Sequence, residues 1–228
     1  MLLVAAAVIP AVFLMVRVYR ADRLEKEPIG LLLTLILLGI ISTLLASITE
    51  WVGENLLELL LPADGLLYAL LLNFVVVGLS EEGFKYLVLK RRTWRSPEFN
   101  CQFDGVVYAV FVSLGFALWE NLGYVAAYGM ETALARAVTA VPGHACFGVF
   151  MGVWYGIARR WELYGESHLS KRARRAAVVV PTLLHGFYDF IASMERDWFV
   201  LVFLVFVLLL FITAMRLVRR LSKDDHYL

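Results

Sequence analysis

Long apolar runs recur through this chain, and they leave few folds open to it. Seven can be drawn, approximately Leu2–Met15, Ile29–Ile48, Leu66–Leu89, Phe103–Tyr124, Ala135–Ile157, Ala176–Ser193 and Phe199–Leu217. A helix needs roughly 20 mostly apolar residues to cross the hydrocarbon core of a bilayer. Backbone polar groups in lipid must find partners within the structure, so such spans are helices unless they close into a barrel. A barrel would show short strands of alternating polarity, and none is found. Composition agrees: 61% of the 228 residues are hydrophobic, only 18% are charged, and the mean hydropathy is +0.75. A soluble domain carries less apolar and more charged sequence. The expectation is an all-α polytopic membrane protein, with about seven transmembrane helices in a single domain over residues 1–228. The first run, "MLLVAAAVIPAVFLMVRVYR", lacks a basic leader and a clear cleavage motif, so it reads as a retained span.

The loops give an independent test. Arg17, Arg20, Arg23 and Lys26 flank the first loop, and the second, "EWVGENLLELLLPADG", has acids but no Lys or Arg. The third carries Lys90, Arg91, Arg92 and Arg95, while the fourth has little beyond Glu131 and Arg136. The fifth holds Arg159, Arg160, Lys171, Arg172, Arg174 and Arg175, the sixth is short, and the tail has Arg216, Arg219, Arg220 and Lys223. High and low basicity alternate without a break. The positive-inside rule then puts the first, third and fifth loops and the C-terminus in the cytoplasm, with the N-terminus outside.

Other classes find little support. The net charge of +1 is uninformative because the charges are clustered, and the basic clusters read as loop anchors rather than a nucleic-acid module. Cys101 and Cys146 form neither a CxxC pair nor a zinc knuckle and read as structural. No inverted repeat points to a transporter.

Four of the spans carry polar groups that a lipid-facing anchor does not need. The third contains Glu81, Glu82 and Lys85 in "LSEEGFKYLVLK". Lys85 is four residues from Glu81 and three from Glu82, and both spacings let side chains meet on a helix. Adjacent Glu81 and Glu82 diverge by about 100° around the axis, so one can enter a catalytic space while the other fixes a neighbour. The fourth span holds Phe116, Glu120 and Asn121 in "FALWEN", the fifth His144 in "PGHACFG", and the sixth His185 and Asp189 in "PTLLHGFYDF". Each group alone has a bland reading as an ion pair, an interface hydrogen bond or a helix end. Together they suggest one polar cavity shared by four helices, because ionisable groups within a membrane are costly and tend to mark function.

Such a set can handle protons. A glutamate beside a histidine can take a proton from water and return one to a leaving group, and a second histidine can stabilise an oxyanion. A peptide bond reaching the cavity could be hydrolysed without a covalent intermediate. Rival chemistries fit less well. HExxH is absent, although His144, His185 and a carboxylate could ligate a metal in another order. Ser80 and Ser113 lack a nucleophile-elbow context. Asp104 and Asp189 lie at different depths, which argues against an aspartyl pair. A straight-helix ruler of 1.5 Å per residue also sets Glu120 nearer the outer face than Glu81, which would move it to a supporting or entry position.

The same residues resemble the PrsW family of bacterial and archaeal membrane proteins, itself similar to the wider CPBP/Abi group of glutamic intramembrane proteases. The similarity rests on "EEGFK" at 81–85, "FALWEN" at 116–121, "HACFG" at 144–148, "HGFYD" at 185–189 and the early "YRADRLEKEP" at 19–28. It runs from about Tyr19 to Asp189. The resemblance implies that Glu81, Glu82, His144 and His185 form the catalytic site, with Lys85, Phe116, Glu120, Asn121 and Asp189 in support. Lys85 stands in place of the arginine of an EExxxR motif, at closer spacing, which favours the PrsW branch over prenyl-protein processing. It further implies metal- and cofactor-independent cleavage of membrane-protein substrates in a cell membrane, anti-sigma factors among them. The alternative is a non-enzymatic membrane scaffold or immunity protein whose network packs helices and binds a partner.

Overall fold

The computed structural model describes residues 2–194 and 196–228. Among them are nine α-helices: α1 (Leu2–Ala21), α2 (Ile29–Leu60), α3 (Leu66–Leu71), α4 (Leu79–Thr93), α5 (Asp104–Tyr128), α6 (Met130–Val138), α7 (Ala140–Leu163), α8 (Ser167–Ala192) and α9 (Asp197–Lys223). A π-helical segment, Leu72–Gly78, joins α3 to α4. Six spans are long and apolar enough to cross a membrane: Val4–Ala21, Ile29–Leu60, Leu66–Thr93, Asp104–Tyr128, Met130–Leu163 and Asp197–Lys223. The expected sixth run, Ala176–Ser193, lies in α8. That helix is not among the six, because its first half carries Lys171, Arg172, Arg174 and Arg175. The protein is therefore an all-helical, multi-pass membrane protein.

Helix α5 is the hub. Every residue from Asp104 to Ala117 is buried, and the helix packs on α1, α2 and α7. Small residues make this possible. Without a hydrophobic force between helices in lipid, association depends on close backbone approach. Gly148, Gly152 and Gly156 line one face of α7 against the first turns of α5; a Cβ on Gly152 would run into Val106 Cα and the Gly105 carbonyl. The obstructing atoms are backbone and cannot swing aside. Replacing Gly152 by Ala is expected to lower the apparent unfolding midpoint in detergent by about 5 °C, from an overpacking cost of about 1–3 kcal/mol. An unchanged midpoint would show that α5 and α7 can separate freely.

A second close approach sets the site. A Cβ on Gly78 would sit 2.9 Å from the Asn73 carbonyl oxygen and 3.1 Å from that of Thr182, and one on Gly186 would sit 2.6 Å from Phe74 Cδ1. The π segment thus lies directly on α8 and brings the first turn of α4 beside the middle of α8. Outward faces of α2 and α9 expose Leu33, Leu37, Ile41, Leu44, Leu201, Leu204 and Leu208, the surface lipid would cover.

At the end of the bundle that carries the basic loops, the chain folds back on itself. The C-terminal tail bonds the 99–104 loop, with the Leu228 amide donating to the Asn100 carbonyl at 2.7 Å. The Ser222 hydroxyl donates to the Ala21 carbonyl. Burial drives two carboxyls of the α1–α2 loop upward, Asp22 to about 6 and Glu27 to about 7.

Candidate active site

Glu81 and Glu82 occupy the first turn of α4, immediately after the π segment. Single widened turns of this kind often re-aim side chains at functional sites. Lys85 is wholly buried and points back into the same space. Its Nζ donates to Glu82 Oε1 at 2.8 Å and to Glu81 Oε2 at 3.0 Å, and lies 3.1 Å from His144 Nδ1. The Phe116 ring, whose centroid is 3.9 Å away, closes the remaining side through a cation–π contact. An ammonium has three donors, and here it has three acceptors.

That geometry fixes the His144 tautomer. An ammonium can only donate, so Nδ1 accepts and Nε2 carries the proton. Nε2 then donates to Glu120 Oε2 at 2.8 Å. The same carboxylate oxygen is 2.9 Å from Arg136 Nη2. His185 is held differently. Its Nδ1 is 3.0 Å from Glu82 Oε1 and 3.8 Å from Glu81 Oε2, and its Nε2 is 3.3 Å from Asp189 Oδ2. Both imidazoles therefore have an outer carboxylate and an inward nitrogen; Glu120 fixes the His144 ring by a hydrogen bond, and Glu82 holds His185 from the inner side. The two rings meet edge to face, with centroids 5.2 Å apart.

A cavity of about 550 Å³ opens beside this cluster, lined by Glu81, Glu120, His144, His185 and Asp189, and also by Glu50, Asn73, Tyr124, Arg136 and Tyr188. Glu82 is fully buried behind it, with Oε2 lacking a hydrogen-bond partner. The two adjacent glutamates thus face different surroundings, as their angular divergence anticipated.

The sequence-derived set comes together, with Asn121 one step removed from the cluster around Lys85. Asn121 turns away from the cluster: its Nδ2 donates to the Ala7 carbonyl at 3.1 Å and its Oδ1 accepts from Arg136 Nε at 3.0 Å. It ties α5 to α1 and α6. Glu120 reaches the cluster despite its shallower expected depth, because the His144 ring spans the gap between it and Lys85. Of the further lining residues, none of them anticipated, two are charged. Glu50 was read as part of an acidic loop, but α2 runs on to Leu60 and carries it inward. Arg136 was read as a loop charge, but the segment after Gly129 is helix α6, which points it at Glu120. The expected fifth span, Ala135–Ile157, is accordingly broken at Thr139, three residues before Pro142.

One oxygen or nitrogen from each of Glu81, Glu82, His144 and His185 lies within 4.8 Å of the others, a spacing that could surround a metal ion. The Lys85 ammonium, however, is already bonded to three of those four groups. As arranged, the donor set encloses a lysine rather than a vacancy for a metal, and the residues do not fit one without its displacement.

The model of the PrsW family, described as an intramembrane metalloprotease family, matches residues 27–215. The chain belongs to the PrsW family. Among its relatives, the protease PrsW of Clostridioides difficile (strain 630) is 32% identical over 208 residues, covering 90% of this chain and 84% of the relative. The protease PrsW of Bacillus subtilis (strain 168) is 31% identical over 209 residues, 90% of each chain. That of Halalkalibacterium halodurans is 31% identical over 225 residues, 98% of each. No solved structure matches this PrsW-family chain.

Proposed function

We propose that this protein is a glutamic-type intramembrane endopeptidase that cleaves membrane-protein substrates with water activated at Glu81, without a metal. The observation carrying this reading is the placement of the Lys85 ammonium among Glu81, Glu82 and His144, beside a polar cavity that only one of the two glutamates borders. Glu81 takes a proton from water as the new C–O bond forms at the scissile carbonyl. His185, between Glu82 and Asp189, faces the same cavity and returns a proton to the amine as the C–N bond breaks. Glu82 positions Lys85 and His185, and Glu120 with Arg136 positions His144. The family's description names a metal; in this mechanism the Lys85 ammonium supplies the central positive charge instead.

The chain acts as one domain over residues 1–228, in the membrane of a bacterial cell. The alternation of basic and acidic loops supports seven crossings, with α8 supplying the additional one, the N-terminus outside and the C-terminus in the cytoplasm. The family resemblance suggests membrane-anchored regulatory proteins such as anti-sigma factors as the substrate class.

The test is cleavage of single-span substrates co-reconstituted in liposomes, with products mapped by mass spectrometry, with and without 1,10-phenanthroline. Cleavage insensitive to this transition-metal chelator is expected. Loss of cleavage that Zn²⁺ restores would overturn the metal-free mechanism. In the same assay Arg136→Ala should slow cleavage about tenfold with little change in unfolding midpoint, since it removes an outer support of Glu120 rather than a reacting group. An unchanged rate would remove Arg136 from the machinery.

A further inference from the structure

The first loop, which the proposed reaction does not use, forms a second cluster of acids at the opposite end of α5 from Glu120. One carboxylate oxygen from each of Asp22, Glu27 and Asp104 lies within 4.8 Å of the other two. All three residues are buried, Asp22 with only 2% of its surface exposed. Their existing partners are few. Glu27 Oε2 accepts from the Tyr108 hydroxyl at 2.7 Å. Asp104 Oδ2 accepts from the backbone amides of Cys101 at 2.6 Å and Asn100 at 3.0 Å. Asp22 Oδ2 is buried and has no hydrogen-bond partner.

Nor is there a side-chain cation to balance them. Among the described residues no Lys, Arg or His forms an ion pair with any of the three. Lys26, the basic residue of the same loop, spends its Nζ on the backbone carbonyls of Tyr19, at 2.7 Å, and Asp22. A buried carboxylate without a partner is costly, and three together more so. This is the inverse of the Lys85 centre, where the same kind of acids surround a built-in ammonium.

We infer that Asp22, Glu27 and Asp104 bind a hard divalent cation, Mg²⁺ or Ca²⁺, that fastens the α1–α2 loop to the start of α5. The donors are all oxygen, which selects such ions over zinc or copper. Asp225 extends the carboxylates toward the tail: one of its oxygens lies within 4.8 Å of a donor on Asp104 and of the Cys101 sulfur, a softer donor outside the all-oxygen set, and its Oδ2 is also buried and unpartnered. A bound ion would therefore hold together three stretches of chain that are far apart in sequence, at the end of the bundle bearing the basic loops.

The experiment uses the full chain in detergent, stripped with EDTA, and titrated with Mg²⁺, Ca²⁺ and, as a luminescent hard-ion probe, Tb³⁺. Tyr108, bonded to Glu27, lies close enough to sensitise Tb³⁺ emission. Saturating Mg²⁺ or Ca²⁺ should raise the apparent unfolding midpoint by about 5 °C and displace Tb³⁺ at one site per chain. Asp22→Asn, which disturbs no hydrogen bond of its side chain, should abolish both effects, and Asp104→Asn, whose amide oxygen can still accept from Cys101 and Asn100, should do the same. Glu81→Gln should keep both effects, which separates this site from the proposed catalytic one. No midpoint shift and no Tb³⁺ emission in the unmodified chain, or emission unchanged in Asp22→Asn, would overturn the assignment and leave the three carboxyls sharing protons instead.

Discussion

Glu81→Gln is expected to reduce cleavage about 10³-fold while leaving the protein folded. Glutamine keeps the shape of the side chain and an oxygen for Lys85, but it cannot take a proton from water. General-base groups contribute roughly 10²–10⁴-fold, and the loss should fall on the rate of the chemical step rather than on substrate affinity. Single-turnover cleavage at saturating substrate separates the two. Glu82→Gln should behave differently. Glu82 is fully buried and its Oε1 bonds both Lys85 and His185. Its loss of charge disturbs both partners, so the unfolding midpoint should fall together with the rate. If Glu81→Gln retained more than a tenth of the original rate, the assignment of Glu81 as base would fail.

Lys85→Met should be the most damaging single change to stability. It leaves Glu81 and Glu82 in a buried site without the ammonium that bonds both. Removing one partner of a buried ion pair costs about 3–5 kcal/mol. For a chain of this size that corresponds to a fall of about 10 °C in apparent midpoint. The double variant Glu82→Gln/Lys85→Met removes one charge of each sign and should recover part of the loss without recovering cleavage. Lys85→Ala supplies a sharper comparison. It opens space among four donors, one of them an imidazole already oriented by Glu120, so it should bind Zn²⁺, measured calorimetrically, where the unmodified chain does not. A Lys85→Met protein as stable as its parent would show that the acids find other partners and that the ammonium is not what holds the centre together.

Much of this site could be read from the sequence because each of its helices announces its own polar residues. Spacings of three and four residues put Lys85 beside Glu81 and Glu82, and Asp189 beside His185, whatever the tertiary arrangement. What crosses between helices was harder to see. Glu120 reaches Lys85 only through the His144 ring, an imidazole long enough to connect two levels of the bundle, and a ruler of uniform rise leaves such a bridge out. Arg136 and Glu50 were hidden for a different reason. Charges near span ends look like loop residues, yet α6 forms a short helix after Gly129 and α2, at about 48 Å, is longer than a bilayer core requires. Asn121 has the cross-helix hydrogen bonds its sequence position offered, to Ala7 and Arg136. Its neighbour in sequence joins the cluster, but one step around a helix turns it toward α1. The acids of the first loop were visible as a motif, while their convergence on Asp104 depends on how the chain returns after Thr93.

Lys85 is attached to the scaffold it neutralises. On the proposed mechanism, the enzyme's central charge is installed when the chain is translated, so neither metal scarcity nor a competing chelator can withdraw it. Inactivation has to come from elsewhere: from shutting off the route by which a substrate segment reaches the cavity, or from destroying the protein itself.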